Sequence, residues 1–244
     1  MISRITSDED FKGLPKRGTE PQKIRALREA YGTEYDFCRF YLQDEDTFLA
    51  DLDGDYILSE GSADYEELAG FFSACGFNEI FCSEKAGEEL SERIPADRHE
   101  IYLMRYAHKA AADGEINRTP RLDEVYEILK TAFEIQYEPW YLDMSHRIRH
   151  GVSRCVILGG SALTVQHDIN GEALLSQVAA LPQCRGKGVT KRLICAVCHE
   201  LSPSEIFVLC EEELTEFYRK CGFEACGRKC LLTNKRNMIV EKGS

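Results

Sequence analysis

The sequence contains no apolar run approaching the roughly 18 residues of a membrane-spanning helix. Its first ten residues carry Asp8, Glu9 and Asp10 where a secretory leader would need an apolar core. Positive charge is also scarce. Thirty Lys and Arg face 42 Asp and Glu, a net charge of −12, whereas binding to nucleic acid needs clustered cations that displace phosphate counterions. These absences predict a cytoplasmic protein with neither a nucleic-acid nor a membrane partner. Eleven cysteines are an odd number for a disulfide framework, and without an export signal they read as reduced, mostly buried thiols.

With 43% hydrophobic and 30% charged residues over 244 positions, the chain has globular composition at a length where single cores begin to divide. The charge divides with it. Residues 1–118 hold 14 Lys and Arg against 26 Asp and Glu, a net of −12, and residues 119–244 hold 16 of each. Two units of different character are therefore expected. The boundary is drawn in the small, polar stretch Ala110-Ala111-Ala112-Asp113-Gly114 before Pro120, giving domains of residues 1–110 and 111–244.

Hydrophobic periodicity predicts an α/β (α+β) fold in which strands and helices alternate in both halves. Each half has a turn pair (Asp53-Gly54, Asn170-Gly171), a strand, a helix and a strand beginning Glu-Ile-Phe at Glu79 or Glu205. Turn glycine and glutamate lie 25 residues apart in the first half (Gly54 to Glu79) and 34 in the second (Gly171 to Glu205). This reads as a degenerate internal duplication, with two unrelated α/β units as the competing reading.

The most specific segment is Val178-Ala179-Ala180-Leu181-Pro182-Gln183-Cys184-Arg185-Gly186-Lys187-Gly188-Val189-Thr190. It runs from an apolar strand through a glycine-containing loop into a helix. Glycines at a helix N-terminus leave unpaired N–H groups uncovered, a cradle for a pyrophosphate, and Arg185 and Lys187 add positive charge beside it. No Gly-Lys-Ser/Thr closes the loop and the glycine spacing is not that of a dinucleotide fingerprint, so neither of those motifs applies.

The segment resembles the signature of the GNAT superfamily of acyl-CoA-dependent N-acyltransferases, Gln/Arg-x-x-Gly-x-Gly/Ala, met by Gln183, Gly186 and Gly188. Downstream, Phe217-Tyr218-Arg219-Lys220-Cys221-Gly222-Phe223 is similar to the family's closing Tyr-x-x-x-Gly-Phe element. The resemblance implies a mixed, twisted sheet flanked by helices and splayed to admit acyl-CoA, here as two GNAT-like units in tandem with a degenerate first copy. By position it implies that Val178, Ala179 and Ala180 run beside the pantetheine arm, with an N–H near Ala180 polarising the thioester carbonyl. Residues 185–190 (Arg185, Gly186, Lys187, Gly188, Val189, Thr190), with Gln183, would hold the pyrophosphate, and Tyr218 would act as general acid toward the leaving thiolate. The implied reaction is transfer of acetyl from acetyl-CoA to a primary amine by direct attack. The acceptor would be an amine-bearing small molecule or peptide, no metal would be needed, and a homodimer is an expected assembly. The alternative is an acyl-CoA-binding sensor or scaffold with little catalysis.

Two departures motivate that alternative. Glu211 stands seven residues before the tyrosine, where the family often has Asn, and Leu174 stands where some members carry a glutamate base. His167, Asp168 and Glu172 near the preceding hairpin read as turn residues. Trp140, Tyr141, Met144 and His146 lie in the region that borders the acceptor pocket in the family, or pack the core. Cys195-Ala196-Val197-Cys198-His199 fits a haem-attachment pattern, but its apolar neighbours favour buried thiols. Cys221, Cys226 and Cys230 lack the second C-x₂-C of a zinc site. The acidic series Asp44-Glu45-Asp46, Asp51, Asp53 and Asp55 lacks calcium-loop spacing and reads as a solvated hairpin edge.

Overall fold

The computed structural model describes residues 1–107, 115–201 and 203–235. The stretch 110–114, expected as a linker, lies outside them. The described chain forms two compact units, one of residues 1–101 with 228–235 and one of residues 102–227. The units do not follow the 110/111 boundary, because the last strand of the chain leaves the second unit and enters the first.

The first unit is a mixed sheet ordered β1-β2-β3-β4-β5-β11. Its strands are β1 (Ile2–Arg4), β2 (Cys38–Gln43), β3 (Thr47–Leu52), β4 (Asp55–Ser59), β5 (Glu79–Ser83) and the later part of β11 (Phe223–Asn234). β1 to β4 run antiparallel, β4 and β5 are parallel, and β11 closes antiparallel on β5, with Cys230 opposite Cys82. The helices are α1 (Thr19–Tyr31), α2 (Tyr65–Cys75), which crosses from β4 to β5, and α3 (Glu84–Ser91). Leu68 and Phe72 of α2 pack on Leu49, Leu58 and Ile80 of the sheet; burial of such side chains contributes roughly 1.5–3 kcal/mol each. Gly76 ends α2 in a left-handed conformation (φ 76°), its N–H on the Phe72 carbonyl.

The second unit contains the end of β6 (Ala96–Tyr106), then α4 (Leu122–Leu129), α5 (Tyr137–Arg149), β7 (Arg154–Leu158), β8 (Ser161–Ile169), β9 (Glu172–Ala180), α6 (Val189–Glu200), β10 (Glu205–Cys210), α7 (Thr215–Lys220) and the start of β11. Its strands are ordered β7-β8-β9-β10-β6. β7, β8 and β9 form an antiparallel meander, β10 returns parallel to β9, and β6 closes antiparallel on β10. One face packs Leu193, Ile194, Val197 and Cys198 of α6 against Val156, Leu163 and Leu175. The other packs α4 and α5, through Val125, Leu129, Trp140 and Met144, on Cys155, Ala162 and Ala179.

The α/β class with mixed, helix-flanked sheets is as expected. Both turn pairs close two-residue hairpins with positive φ at both positions, Asp53 and Gly54 (51° and 93°) and Asn170 and Gly171 (53° and 77°), which suits the right-handed strand twist. One expectation fails in part. Of the acidic series around β2–β4, Asp44, Glu45, Asp53 and Asp55 are exposed, but Asp51 is fully buried, taking the Arg39 guanidinium at 2.7 Å and the Gly54 N–H at 2.8 Å. The hairpin twist turns this acid inward, where it secures its own turn. No helix among the described residues is long and apolar enough to cross a membrane.

Candidate functional site

The glycine segment leaves β9 through a 3-10 turn, Pro182–Cys184. The N–H groups of Cys184 and Arg185 fold back onto the carbonyls of Leu181 and Pro182. Gly186 and Gly188 then take left-handed conformations (φ 74° and 72°), and a Cβ at either would meet no atom within 4 Å. From Gly186 to Lys191 no backbone N–H finds an acceptor among the described residues; the next bond is Arg192 N–H to the Gly188 carbonyl at 3.1 Å. The head of α6 is thus an exposed set of donors at the positive end of a helix, suited to an anion.

The strands beside it part. β9 and β10 are paired only from Glu172–Glu205 to Leu175–Val208, while β10 continues against β6 as far as Cys210–Tyr102. β9 departs at a bulge, where the register against β8 shifts between Ala162 and Thr164 and Gln177 takes a left-handed conformation (φ 47°). The Leu181 N–H returns to the Gly160 carbonyl on the β8 side at 2.9 Å. By strand alternation the N–H groups of Ala180 and Val178 therefore face away from β8, into the gap where β10 no longer pairs. An open-sided strand leading into a donor-lined loop can take an extended, amide-bearing thioester along the strand and a diphosphate in the loop, so the residues present fit an acyl-CoA.

Residues 144–234 match the sequence profile of the Acetyltransferase (GNAT) domain. This part of the chain is a GNAT domain. No curated protein matches the chain in sequence. Solved structures of like fold include a GNAT-family acetyltransferase from Colwellia psychrerythraea, at 14% identity and TM-score 0.56 over 96% of this chain and 100% of that one. A Drosophila protein aligns at 10% identity and TM-score 0.63 over 96% and 98%. A tandem GNAT protein of the clavulanic acid biosynthesis pathway aligns at 10% and 0.54 over 96% and 97%. At such identities the likeness is one of fold.

Within the GNAT domain, the side chains around the loop serve two purposes. Gln183, Lys187 and the loop glycines are exposed. Arg185 is occupied, with Nε on the Ala180 carbonyl at 3.2 Å and Nη2 on the Thr131 carbonyl at 3.1 Å. Its guanidinium ties the loop to the end of α4 and its backbone N–H is already on the Pro182 carbonyl, so the uncovered donors begin at Gly186. Thr190 meets Ser161, Oγ1 to Oγ at 3.0 Å, and Val189 lies against the β7–β8 turn at Gly159.

That turn is a support the sequence reading missed. Gly160 has φ 84°, and a Cβ there would stand 2.7 Å from the Cys184 sulfur. We expect Gly160→Ala to cost about 2–3 kcal/mol through overpacking and left-handed strain, and to weaken acyl-CoA binding by displacing the loop. Thermal midpoints should show the loss, and Gly160→Ala/Cys184→Ala should recover the part due to overpacking, leaving the left-handed strain of about 1–2 kcal/mol. An equal loss in the double variant would contradict this role for the contact. A Gly-Gly pair between two apolar runs was the available signal. Gln177 offered none, lying within an apolar strand; its Oε1 accepts the Trp140 Nε1–H at 3.1 Å and the Thr164 hydroxyl at 3.3 Å, fixing the bulge to α5.

Tyr218 lies on α7, only 5% exposed, in the same core as Leu175, Val208 and Cys210, with Val178 packed against it. Its ring meets Phe223 edge-on at 5.7 Å and Phe217 at 5.2 Å. Burial, and then the neighbouring Cys210 and Cys221 thiols, drive its phenol above the ordinary range, so it keeps its proton at neutral pH. Of the other sequence candidates, Leu174 is buried, Asp168 accepts the Ser204 hydroxyl at 2.7 Å, and Glu211 is exposed at the head of the turn before α7. His167 and Glu172, expected as turn residues, are instead buried in β8 and at the start of β9. Cys195 and Cys198 are buried on α6 while His199 is exposed. Among the described residues no group of three or more His, Cys, Asp or Glu is arranged to hold a metal ion.

Proposed function

We propose that the chain is a cytoplasmic N-acetyltransferase that transfers acetyl from acetyl-CoA to a primary amine by direct attack. The observation that carries this reading is the parting of β9 from β10 after Leu175 and Val208 beside the uncovered N–H groups of residues 186–191. The loop N–H groups and the start of α6 bind the pyrophosphate, with Lys187 contributing charge. The edge of β9 from Val178 to Ala180 orients the pantetheine arm, and one of its free N–H groups receives the charge that develops on the thioester oxygen. As the amine nitrogen bonds to the carbonyl carbon and the carbon–sulfur bond breaks, Tyr218 delivers its proton to the departing thiolate. The amine's own proton passes to solvent, and Tyr218 regains one proton from solvent as the products leave, so the enzyme is restored and no net proton is released. All eleven cysteines are free thiols, in keeping with a reducing compartment.

The test is calorimetric titration with acetyl-CoA, beside a panel of amines monitored for released thiol. Saturable binding with thiol release matched to acylated amine is expected. Binding without release on any amine would leave the sensor reading, which the buried Leu174 and the exposed Glu211 favour. Absence of binding overturns both.

A further inference from the structure

The two units repeat one local construction. In the second, Asn170-Gly171 leads into β9, α6 crosses over, and β10 returns with Glu205 opposite Glu172 and its N–H on the Gly171 carbonyl at 2.8 Å. In the first, Asp53-Gly54 leads into β4, α2 crosses over, and β5 returns with Glu79 opposite Asp55, while the Asn78 N–H reaches the Gly54 carbonyl at 2.8 Å. Both parallel pairs then stop short, at Leu175–Val208 and at Ile57–Phe81. By register alone, the loop 60–64 after β4 corresponds to the glycine loop after β9.

Here the copies differ. In the second unit the loop donors are uncovered; in the first, those of Gly61, Ser62, Asp64, Glu66 and Glu67 are taken by the unit's own oxygens. Asp46, from the β2–β3 turn, accepts the Ser62 N–H at 2.8 Å and the Ser62 hydroxyl at 3.0 Å. Thr47 Oγ1 accepts the Gly61 N–H at 3.0 Å, and Asp64 Oδ1 takes the N–H groups of Glu66 and Glu67 that open α2. The carboxylate lies so close that a Cβ at position 61 would stand 2.3 Å from Asp46 Cγ. Glu60 accepts the hydroxyls of both Ser83 and Tyr65, joining the loop after β4 to the end of β5 where the strands have separated.

We infer that the first unit is a copy of the cofactor-binding crossover closed from within: Asp46 is its resident anion, Glu60 its clasp, and the chain therefore takes one acyl-CoA. This rests on the acyl-CoA reading of the second unit. A tethered carboxylate pays little of the association entropy that a free ligand must pay. An incoming diphosphate would also face Asp46, Glu60 and Asp64 together. The Ser62 N–H and hydroxyl hold the Asp46 carboxyl below its ordinary range, as for an ion serving as acceptor.

The test has two arms on the full chain. In the first, Asp46→Gly should lower the thermal midpoint by about 4–8 °C. Acetate, as a free carboxylate, should restore much of it while leaving wild type unmoved. In the second, wild type should bind one equivalent of acetyl-CoA, Asp46→Gly still one, and Gly188→Val none. A second equivalent in wild type, or one equivalent persisting in Gly188→Val, overturns the inference, as does a midpoint in Asp46→Gly that ignores acetate. Acetate rescue together with no binding in wild type would instead overturn the acyl-CoA reading and leave Asp46 as the internal anion. The stoichiometry arm stands even if Asp46→Gly does not fold.

Discussion

Gly188→Val is expected to abolish detectable acetyl-CoA binding, a loss of at least about 100-fold in affinity, while the protein remains folded. Gly188 caps α6 with φ 72° and has open space around its Cβ position. A valine there costs about 1–2 kcal/mol for the left-handed conformation, which the fold can absorb because nothing is struck. The side chain would instead stand over the donors of residues 186–191, the surface a diphosphate must reach, and each lost charge-assisted bond costs roughly 1.5–3 kcal/mol. Two or three such bonds account for the expected loss. Gly186→Val should behave alike, since its φ is 74° and its surroundings are equally open. Calorimetric titration beside a thermal melt makes the measurement. Near-wild-type affinity in a folded Gly188→Val would remove the loop from the cofactor site.

Tyr218→Phe is expected to lower turnover by about 10²-fold or more, the usual contribution of a positioned general acid, with acetyl-CoA affinity within about twofold of wild type. The ring makes the packing contacts with Phe217 and Phe223, and phenylalanine keeps them, so stability should change by less than about 1.5 kcal/mol. The hydroxyl is the only group removed. Its phenol is held protonated by burial, so wild-type turnover should not fall through loss of the acid as pH rises from 7 to 9. Stopped-time thiol release with the most active amine, set against binding by calorimetry, separates the two effects. Wild-type turnover in Tyr218→Phe would end its assignment as acid. Lost binding with unchanged turnover at saturation would make it a packing residue of the pantetheine wall.

Much of this was legible in the sequence because the signals are local. Asn170-Gly171 and Asp53-Gly54 specify hairpins through the φ values that those residues tolerate. The apolar spacing of Leu193, Ile194 and Val197 specifies the buried face of α6. Gln183, Gly186 and Gly188 specify a loop that exposes donors. What was not legible depends on residues far apart in the chain. β1 is a three-residue edge strand, defined by its pairing with β2 rather than by any pattern of its own. Arg185 reads as a charge for a phosphate, yet it is claimed by the carbonyls of Ala180 and Thr131, the latter 54 positions away. Asp46 and Asp51 read as solvent-facing acids, and each is held by donors brought to it by the folding of the hairpins.

The sequence by itself determined where the chain turns, which faces are apolar, and that one loop in the second half leaves backbone N–H groups uncovered, because these follow from φ preferences and side-chain period within a few residues. Only the tertiary structure decided where β9 parts from β10, that Gly160 underpins the loop through Cys184, that the last strand returns to the first unit, and that the matching loop in that unit is already filled by Asp46. Strand separation, close contact and donor occupancy are properties of pairs of distant segments, and no local pattern encodes which oxygen will reach a given N–H.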